Sequence, residues 1–89
     1  MMSVKFSPNA LEQLFYLAER DKRLFKGFKK IIEDTQRNGI NGLGHPEPLK
    51  GNLSGYWSRE IDEKNRLTYK ILDNGNILIA HCNGHYFDR

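Results

Sequence analysis

The segment RLTYKILDNGNILIAHC, residues 66–82, decides the fold because its pattern is that of a β-hairpin. Two largely apolar runs flank the polar tetrapeptide DNGN, residues 73–76, and an Asn-Gly pair between two such runs is a strong hairpin signal. If Asn74 and Gly75 form a two-residue loop, the register of the whole ladder follows. The sequence therefore predicts two antiparallel strands, at 66–72 and 77–82.

This predicted register sends the side chains of the hairpin to two faces of a sheet. One face is apolar and should lie under helices; its pairs are Leu67 with Cys82, Tyr69 with Ala80, and Ile71 with Leu78. The other face is uncovered; its pairs are Arg66 with Asn83, Thr68 with His81, and Lys70 with Ile79. Continued alternation brings His85 to the uncovered face, one diagonal step from Arg66 and within reach of a long side chain. Cys82 is predicted to be a core residue.

The N-terminal half predicts a short strand and two helices. Val4 and Phe6 alternate with polar residues, and Ser7 before Pro8 is a typical helix start. Asp21 can cap a second helix, which the Asn38-Gly39 pair ends. Residues 39–50 hold three glycines and two prolines and predict a loop, and a further strand is expected at 55–61. The expected fold is α+β: a short N-terminal strand, then two helices packed on one face of a small antiparallel sheet with a C-terminal β-meander.

Composition indicates one globular domain, residues 1–89, without a membrane segment. Hydrophobic residues make up 38% of the chain and charged residues 28%, which is typical of globular proteins. No apolar run approaches the ~20 residues of a membrane span, and the N-terminus lacks the apolar stretch of a signal peptide. The single cysteine cannot form an internal disulfide. A cytoplasmic location is expected.

The positive charge lies in the first half of the chain. The net charge is +3, and residues 1–38 hold eight basic and five acidic side chains. On the second helix the basic residues lie opposite the apolar stripe: Lys22, Arg23, Lys26, Lys29, Lys30 and Arg37. Such a surface suits a phosphate backbone or an acidic partner protein, although it is also an ordinary solvated helix face.

An acid–base pair near an arginine is the candidate chemistry. Glu47 stands between Pro46 and Pro48, whose fixed φ angles hold it rigidly, although a solvated turn glutamate fits the same pattern. Glu47 as general base and His85 as general acid suit metal-free cleavage of an RNA phosphodiester. Arg66, assisted by Lys50 or Arg59, is predicted to stabilise the phosphorane charge. Tyr86 could stack on a base or donate a hydrogen bond to phosphate.

Metal binding is the competing chemistry for the same residues. Potential ligands are His45, His81, Cys82 and His85. The predicted register sends Cys82 to the face opposite His81 and His85, and no CxxC pair or helical HxxxH is present. No metal or other cofactor is therefore expected.

Three segments resemble the YoeB/Txe toxins of bacterial toxin–antitoxin systems, in the RelE/ParE superfamily. They are GHPEPLKGNLSGYWSREI (44–61), NRLTYKI (65–71) and GHY (84–86), and residues 21–38 are similar to the second helix of that family. The resemblance implies a ribosome-dependent mRNA endonuclease that enters the ribosomal A site, cuts the exposed codon and halts translation. It also implies a cognate antitoxin that silences the protein, and a homodimer. The basic second helix, including Lys22, Lys26, Lys29 and Lys30, would contact ribosomal RNA or an acidic antitoxin segment.

The resemblance also implies the site residues. It assigns catalysis to Glu47, Arg66, His85 and Tyr86, and substrate contacts to Lys50 and Arg59. Three departures from a related sequence concern the same region: Glu60 replaces an arginine, Lys64-Asn65 replaces Glu-His, and Phe87-Asp88-Arg89 extend beyond the His-Tyr pair.

Two other functions fit the sequence less well. A non-catalytic ParE-like toxin would share the fold and inhibit a topoisomerase through protein contacts, and a small RNA-binding module would use the cations only to hold phosphate. Neither needs an acid and a base. The register of strand 55–61 leaves open whether Arg59 or Glu60 faces the site. The catalytic hypothesis requires that Glu47 lie on the face of the sheet away from the helices.

Overall fold

The computed structural model describes residues 2–83, which form two helices and a five-stranded sheet. The elements in chain order are β1 (Val4–Phe6), α1 (Pro8–Arg20), α2 (Lys22–Asn38), β2 (Glu47–Pro48), β3 (Trp57–Glu60), β4 (Arg66–Ile71) and β5 (Ile77–Asn83). The strand order is β1-β5-β4-β3-β2. The expected α+β fold is confirmed. The sheet is mixed, because β1 pairs with β5 in parallel while all other pairs are antiparallel.

The helix boundaries agree with the capping signals in the sequence. Ser7 Oγ accepts a hydrogen bond from the Ala10 N–H at 3.0 Å, and Asp21 Oδ1 accepts one from the Leu24 N–H at 3.1 Å. Each bond satisfies an amide that a helix N-terminus leaves unpaired. Gly39, with φ +66°, ends α2 and donates its N–H to Thr35 O at 2.9 Å.

The core lies between the two helices and one face of the sheet. From the helices it includes Ala10, Leu14, Phe28, Ile31 and Ile32, and from the sheet Leu67, Tyr69, Ile77, Ile79 and Cys82. Burying each of the Leu, Ile and Phe side chains among them stabilises the fold by roughly 1.5–3 kcal/mol. The prediction that Cys82 is a core residue is confirmed, since its side chain is 1% exposed.

The hairpin register agrees with the prediction only at the end distant from the turn. The loop has three residues, 73–75, because Leu72 pairs with Asn76 through a 2.7 Å bond from its N–H to Asn76 O. Gly75 has φ +88° and supplies the left-handed residue that such a loop requires. The predicted two-residue loop is therefore wrong, and the register next to it is displaced by one residue.

A β-bulge between Thr68 and Tyr69 restores the predicted register. On the partner strand the extra residue is Ala80, since Thr68 pairs with His81 while Tyr69 pairs with Ile79. Beyond the bulge, Lys70 pairs with Leu78. The predicted positions of Leu78 and Ile79 are thus exchanged: Ile79 is in the core, and Leu78 shares the uncovered face with Lys70. The predicted pairs of Arg66, Leu67 and Thr68 are confirmed.

The expected loop at 39–50 contains a short edge strand. In β2, Glu47 pairs with Ser58 and Pro48 with Trp57, and the Leu49 N–H donates to Tyr56 O at 2.9 Å. An edge strand tolerates proline because one of its sides needs no ladder partner. The described residues include no helix with the length and apolar character needed to cross a bilayer.

Candidate functional site

The uncovered face of the sheet carries a row of four directly paired residues. Glu47 pairs with Ser58, Ser58 with Thr68, and Thr68 with His81. Paired residues share a face, and alternation puts Arg66 on the same face as Thr68. The opposite face carries Leu67 and Tyr69, which pack under the helices. Glu47 therefore lies on the side of the sheet away from the helices, as the catalytic hypothesis requires.

Strand spacing determines how far apart Glu47 and Arg66 are. They lie two strands apart across the sheet and two residues apart along it, which corresponds to roughly 12 Å between their Cα atoms. Glu47 is exposed, and the Arg66 side chain is 29% exposed. Two long side chains that reach towards each other over this distance leave room for a phosphate. His85 and Tyr86 lie outside the described residues, so their predicted roles stay predictions.

Glu60, and not Arg59, shares the uncovered face with Arg66. These two residues are directly paired, and Arg66 Nη2 lies 3.6 Å from Glu60 Oε2. Both side chains contact solvent, so the ion pair is weak, worth about 1 kcal/mol or less. The cation assigned to the phosphate is thus partly neutralised in the free protein.

Arg59 is buried on the opposite face, with an exposure of 0%. Its guanidinium donates to Tyr69 Oη, Asp34 Oδ2, Leu43 O, Gly39 O and Asn41 O over distances of 2.6–3.1 Å. All five of its N–H donors are satisfied within the protein. The predicted contact between Arg59 and the substrate does not agree with this placement, because a fully enclosed side chain cannot reach a substrate on the other face.

The contacts of Arg59 alter the pKa values of two neighbours. Burial would raise the pKa of Asp34, but hydrogen bonds from the Leu43 N–H and Arg59, together with the charge of Arg59, outweigh it and lower that pKa below its usual value. Burial raises the pKa of Tyr69, and the hydrogen bond from Arg59 opposes this effect only in part. Asp34 is therefore a carboxylate at neutral pH and Tyr69 a neutral phenol.

Three atoms in the four-residue row are buried without a hydrogen-bond partner within residues 2–83. They are Ser58 Oγ, Thr68 Oγ1 and His81 Nδ1. Buried polar atoms in native proteins are almost always paired with protein or water. The floor beside Glu47 is thus polar, and its hydrogen-bonding capacity is not used up by residues 2–83.

Further cations surround this face, one of which the sequence interpretation did not assign. Lys70 lies on the uncovered face two residues beyond Thr68, with its Nζ 5.4 Å from the centroid of the Tyr56 ring. Its spacing of four residues from Arg66 within one strand was the signal that could have identified it. Lys50 is exposed between β2 and β3. The lysines assigned to the basic surface are all exposed on α2: Lys22, Lys26, Lys29 and Lys30.

The potential metal ligands do not converge in the described part of the chain. No three His, Cys, Asp or Glu side chains within residues 2–83 are grouped as a metal site would require. His81 and Cys82 are on opposite faces. Burial raises the pKa of Cys82 to about 12, so its thiol stays protonated at neutral pH.

Comparisons with known proteins agree on one family. The family model "YoeB-like toxin of bacterial type II toxin-antitoxin system" matches residues 6–86. Toxin YoeB of Escherichia coli O6:H1 (strain CFT073) is 46% identical over 85 residues, which are 96% of this chain and 100% of that protein.

Two solved structures from Staphylococcus aureus have the same fold. The YoeB dimer superposes with a TM-score of 0.84 at 41% identity, over 96% of this chain and 98% of that chain. The YoeB–YefM complex gives a TM-score of 0.85 at 40% identity, over 97% of this chain and 99% of that chain. These matches confirm the resemblance seen in the sequence.

Proposed function

The chain belongs to the YoeB-like toxins of bacterial type II toxin–antitoxin systems, and from this premise we propose that it is an endoribonuclease that cuts mRNA in the ribosomal A site. The observation that carries the proposal is the position of Glu47 and Arg66 on one open face of the sheet. A carboxylate and a guanidinium on either side of a phosphate-sized space are what RNA transesterification needs from a protein. A surface used only for binding does not need the carboxylate.

The proposed reaction requires two proton transfers and one bond exchange at phosphorus. Glu47 takes the proton of the 2′-hydroxyl, and the 2′-oxygen attacks the adjacent phosphorus. The bond from phosphorus to the 5′-oxygen breaks, and His85 gives this leaving oxygen its proton. The products are a 2′,3′-cyclic phosphate and a free 5′-hydroxyl. The two proton transfers, one to the Glu47 carboxylate and one from the His85 imidazole, take the place of the metal-bound hydroxide that other nucleases use.

Arg66 is assigned the role of stabilising the negative charge of the pentavalent intermediate. A guanidinium can donate two parallel hydrogen bonds to phosphate oxygens, and its partial exposure allows a substrate to reach it. Lys70 and Lys50 add positive charge on or beside the same face. Tyr86 is assigned a contact with the base or phosphate at the cut site.

The partners follow from family membership and from the charge distribution. We assign the exposed lysines of α2 to contacts with ribosomal RNA, because phosphate groups attract such a surface. A cognate antitoxin is expected to bind and silence the protein, since a relative from Staphylococcus aureus forms a YoeB–YefM toxin–antitoxin complex. A homodimer is proposed on the same basis. The place of action would be the cytoplasm, where mRNA is translated.

The test is a cleavage assay on programmed ribosomes. Primer extension should detect a cut within the A-site codon for the wild-type protein, and no cut in an mRNA that carries a 2′-deoxynucleotide at that position. Glu47→Gln and His85→Ala should each reduce cleavage at least 100-fold without weakening ribosome binding. Glu63→Gln, an exposed carboxylate in the turn after β3, is the matched control and should cleave normally. Intact mRNA with translation still blocked would refute the nuclease and favour a protein that only binds.

A further inference from the structure

We propose that Arg59 and Asp34 are positioning residues for Glu47, an inference that rests on the function proposed above. Neither residue touches the open face. They would act by fixing the backbone of residues 39–44, which connects α2 to the strand that carries Glu47. The contacts form a continuous path, from the buried guanidinium through this segment to β2.

The first step of the path is a ring of carbonyl groups around the guanidinium of Arg59. Nη2 donates to Gly39 O at 2.7 Å and to Asn41 O at 2.6 Å, and Nη1 donates to Leu43 O at 3.0 Å. These carbonyls alternate along five consecutive residues. The segment therefore curls around one side chain of β3, and its shape depends on that side chain.

The second step is the carboxylate of Asp34, which holds both the guanidinium and the segment. Its Oδ2 accepts from Arg59 Nη1 at 2.7 Å and from the Leu43 N–H at 2.9 Å. The Arg59 side chain is 0% exposed and that of Asp34 is 14% exposed. A charge buried to this degree requires its partner, because removing either member leaves the other as an uncompensated buried charge.

The third step passes from Leu43 to Glu47. Gly44 O accepts the Glu60 N–H at 2.7 Å. Gly44 has φ +79°, and a Cβ at this position would lie 2.7 Å from Glu60 O, so the backbone contacts β3 too closely for any side chain. Three residues later Glu47 pairs with Ser58.

The alternation of β3 gives the arrangement its functional meaning. Arg59 points towards the helices and holds the incoming segment, while the buried Ser58 and the partly exposed Glu60 on either side of it share a face with Glu47 and Arg66. The strand β3 thus forms part of the floor of the site and also anchors the segment that carries Glu47, the proposed general base. A displacement of about 1 Å in a catalytic group can reduce the rate of reaction 100-fold. Loss of the anchor should therefore reduce the rate of cleavage more than the binding of substrate.

The test compares Asp34→Asn with Asp62→Asn. Asparagine keeps the shape of Asp34 but removes the charge that balances Arg59. Asp62 is the matched control because it accepts the N–H groups of Lys64 and Asn65 in the β3–β4 turn, and its pKa is lowered although burial opposes this. Both substitutions remove one carboxylate that orders a connection. The Asp34 connection leads to Glu47 and the Asp62 connection leads to Arg66, so Asp62→Asn is the control for hydrogen exchange at Leu49.

The first measurement is amide hydrogen exchange, which needs no substrate. In Asp34→Asn the amides of Glu60 and Leu49, whose acceptors are Gly44 O and Tyr56 O, should exchange at least 10-fold faster. The amide of Leu72 in the distant hairpin should keep its rate. In Asp62→Asn the amide of Leu49 should also keep its rate. Unchanged exchange at Glu60 and Leu49 in Asp34→Asn would overturn the inference.

The second measurement is cleavage on programmed ribosomes, normalised to the folded fraction. Asp34→Asn should lower kcat about 10- to 100-fold and change KM less than about twofold, while Glu33→Gln, which removes the exposed carboxylate next to Asp34 on α2, should leave both unchanged. Equal losses in the two variants, or a normal kcat in Asp34→Asn, would overturn the inference. If Asp34→Asn does not fold, Tyr69→Phe removes only one of the five acceptors of Arg59 and should show the same split. A wild-type protein that cleaves nothing would refute the proposed function, while hydrogen exchange would still decide whether Asp34 fixes the segment.

Discussion

Removal of the hydroxyl of Tyr69 tests whether the buried guanidinium of Arg59 depends on this one acceptor. The Tyr69 side chain is fully buried. Its hydroxyl accepts from Arg59 Nε at 3.1 Å and donates to Gly39 O at 3.0 Å. Tyr69→Phe keeps the ring, and with it the contact between the ring and Arg59 Cζ at 5.5 Å. The only losses are one oxygen atom and its two hydrogen bonds.

The expected magnitude follows from the charge of the donor. Gly39 O keeps its bond from Arg59 Nη2, so the carbonyl is not left unpaired. Arg59 Nε has no other acceptor within the described residues, and hydrogen bonds to charged groups are worth about 1.5–3 kcal/mol. We expect Tyr69→Phe to lower the free energy of unfolding by about 2 kcal/mol, which corresponds to a fall in Tm of roughly 8–16 °C for a domain of this size.

Urea and thermal denaturation followed by circular dichroism measure this change. The control is Tyr16→Phe on α1, where the tyrosine is 57% exposed and Arg20 Cζ lies 4.6 Å from its ring centroid. Phenylalanine preserves that contact, so the control should change the free energy of unfolding by less than about 0.5 kcal/mol. A loss in Tyr69→Phe as small as that in the control would refute the reasoning, because Nε would then be satisfied without the phenol.

Two other predictions concern the open face and the core. Glu60→Gln removes the carboxylate that competes with phosphate for Arg66. It should lower KM for programmed ribosomes about two- to fivefold, the equivalent of up to about 1 kcal/mol. An unchanged or higher KM would contradict this competition. Burial raises the pKa of Cys82 from 9.0 to about 12, so the folded state keeps its proton where the unfolded state loses it. The contribution of this thiol to the free energy of unfolding should then be constant below pH 9 and fall as the pH rises towards 12. Urea titrations should therefore find a smaller loss of stability over this range in Cys82→Ala.

The local signals in the sequence were sufficient for the helices. Ser7 and Asp21 cap α1 and α2 through bonds to amides three residues away, so no distant partner enters the prediction. The family resemblance rests equally on local motifs, and the comparisons confirm it. The parallel pairing of β1 with β5 joins the two ends of the chain, and no short-range pattern encodes it.

The hairpin shows where local reasoning stops being sufficient. Asn74-Gly75 correctly indicated a turn, but the number of loop residues depends on whether Leu72 or Asp73 makes the last pair. That choice decides which of Leu78 and Ile79 enters the core. The predicted partners of Arg66, Leu67 and Thr68 were nevertheless right, because the bulge at Ala80 cancels the displacement before the ladder reaches them.

Arg59 is the residue for which the sequence was most misleading. A basic residue in a motif shared with YoeB-like toxins suggested contact with phosphate. Its actual partners come from α2, from the segment after it, and from β4, and none of them adjoins it in sequence. Arg59 lies two residues after Trp57, which packs against the core. Because residues two apart in a strand share a face, this spacing was the available sign that the Arg59 side chain turns inward.

The bulge at Ala80 has a consequence for how the hairpin can vary. Between it and the tip, Ile77 and Ile79 are buried and pair with β1 as well as with β4, so this part of the hairpin cannot slide. Only residues 73–75 lie outside the ladder, and Asp73 and Asn74 are exposed. The tip is therefore a suitable place to graft a fluorophore or an epitope, because it lies at the end of the hairpin away from Thr68 and Arg66.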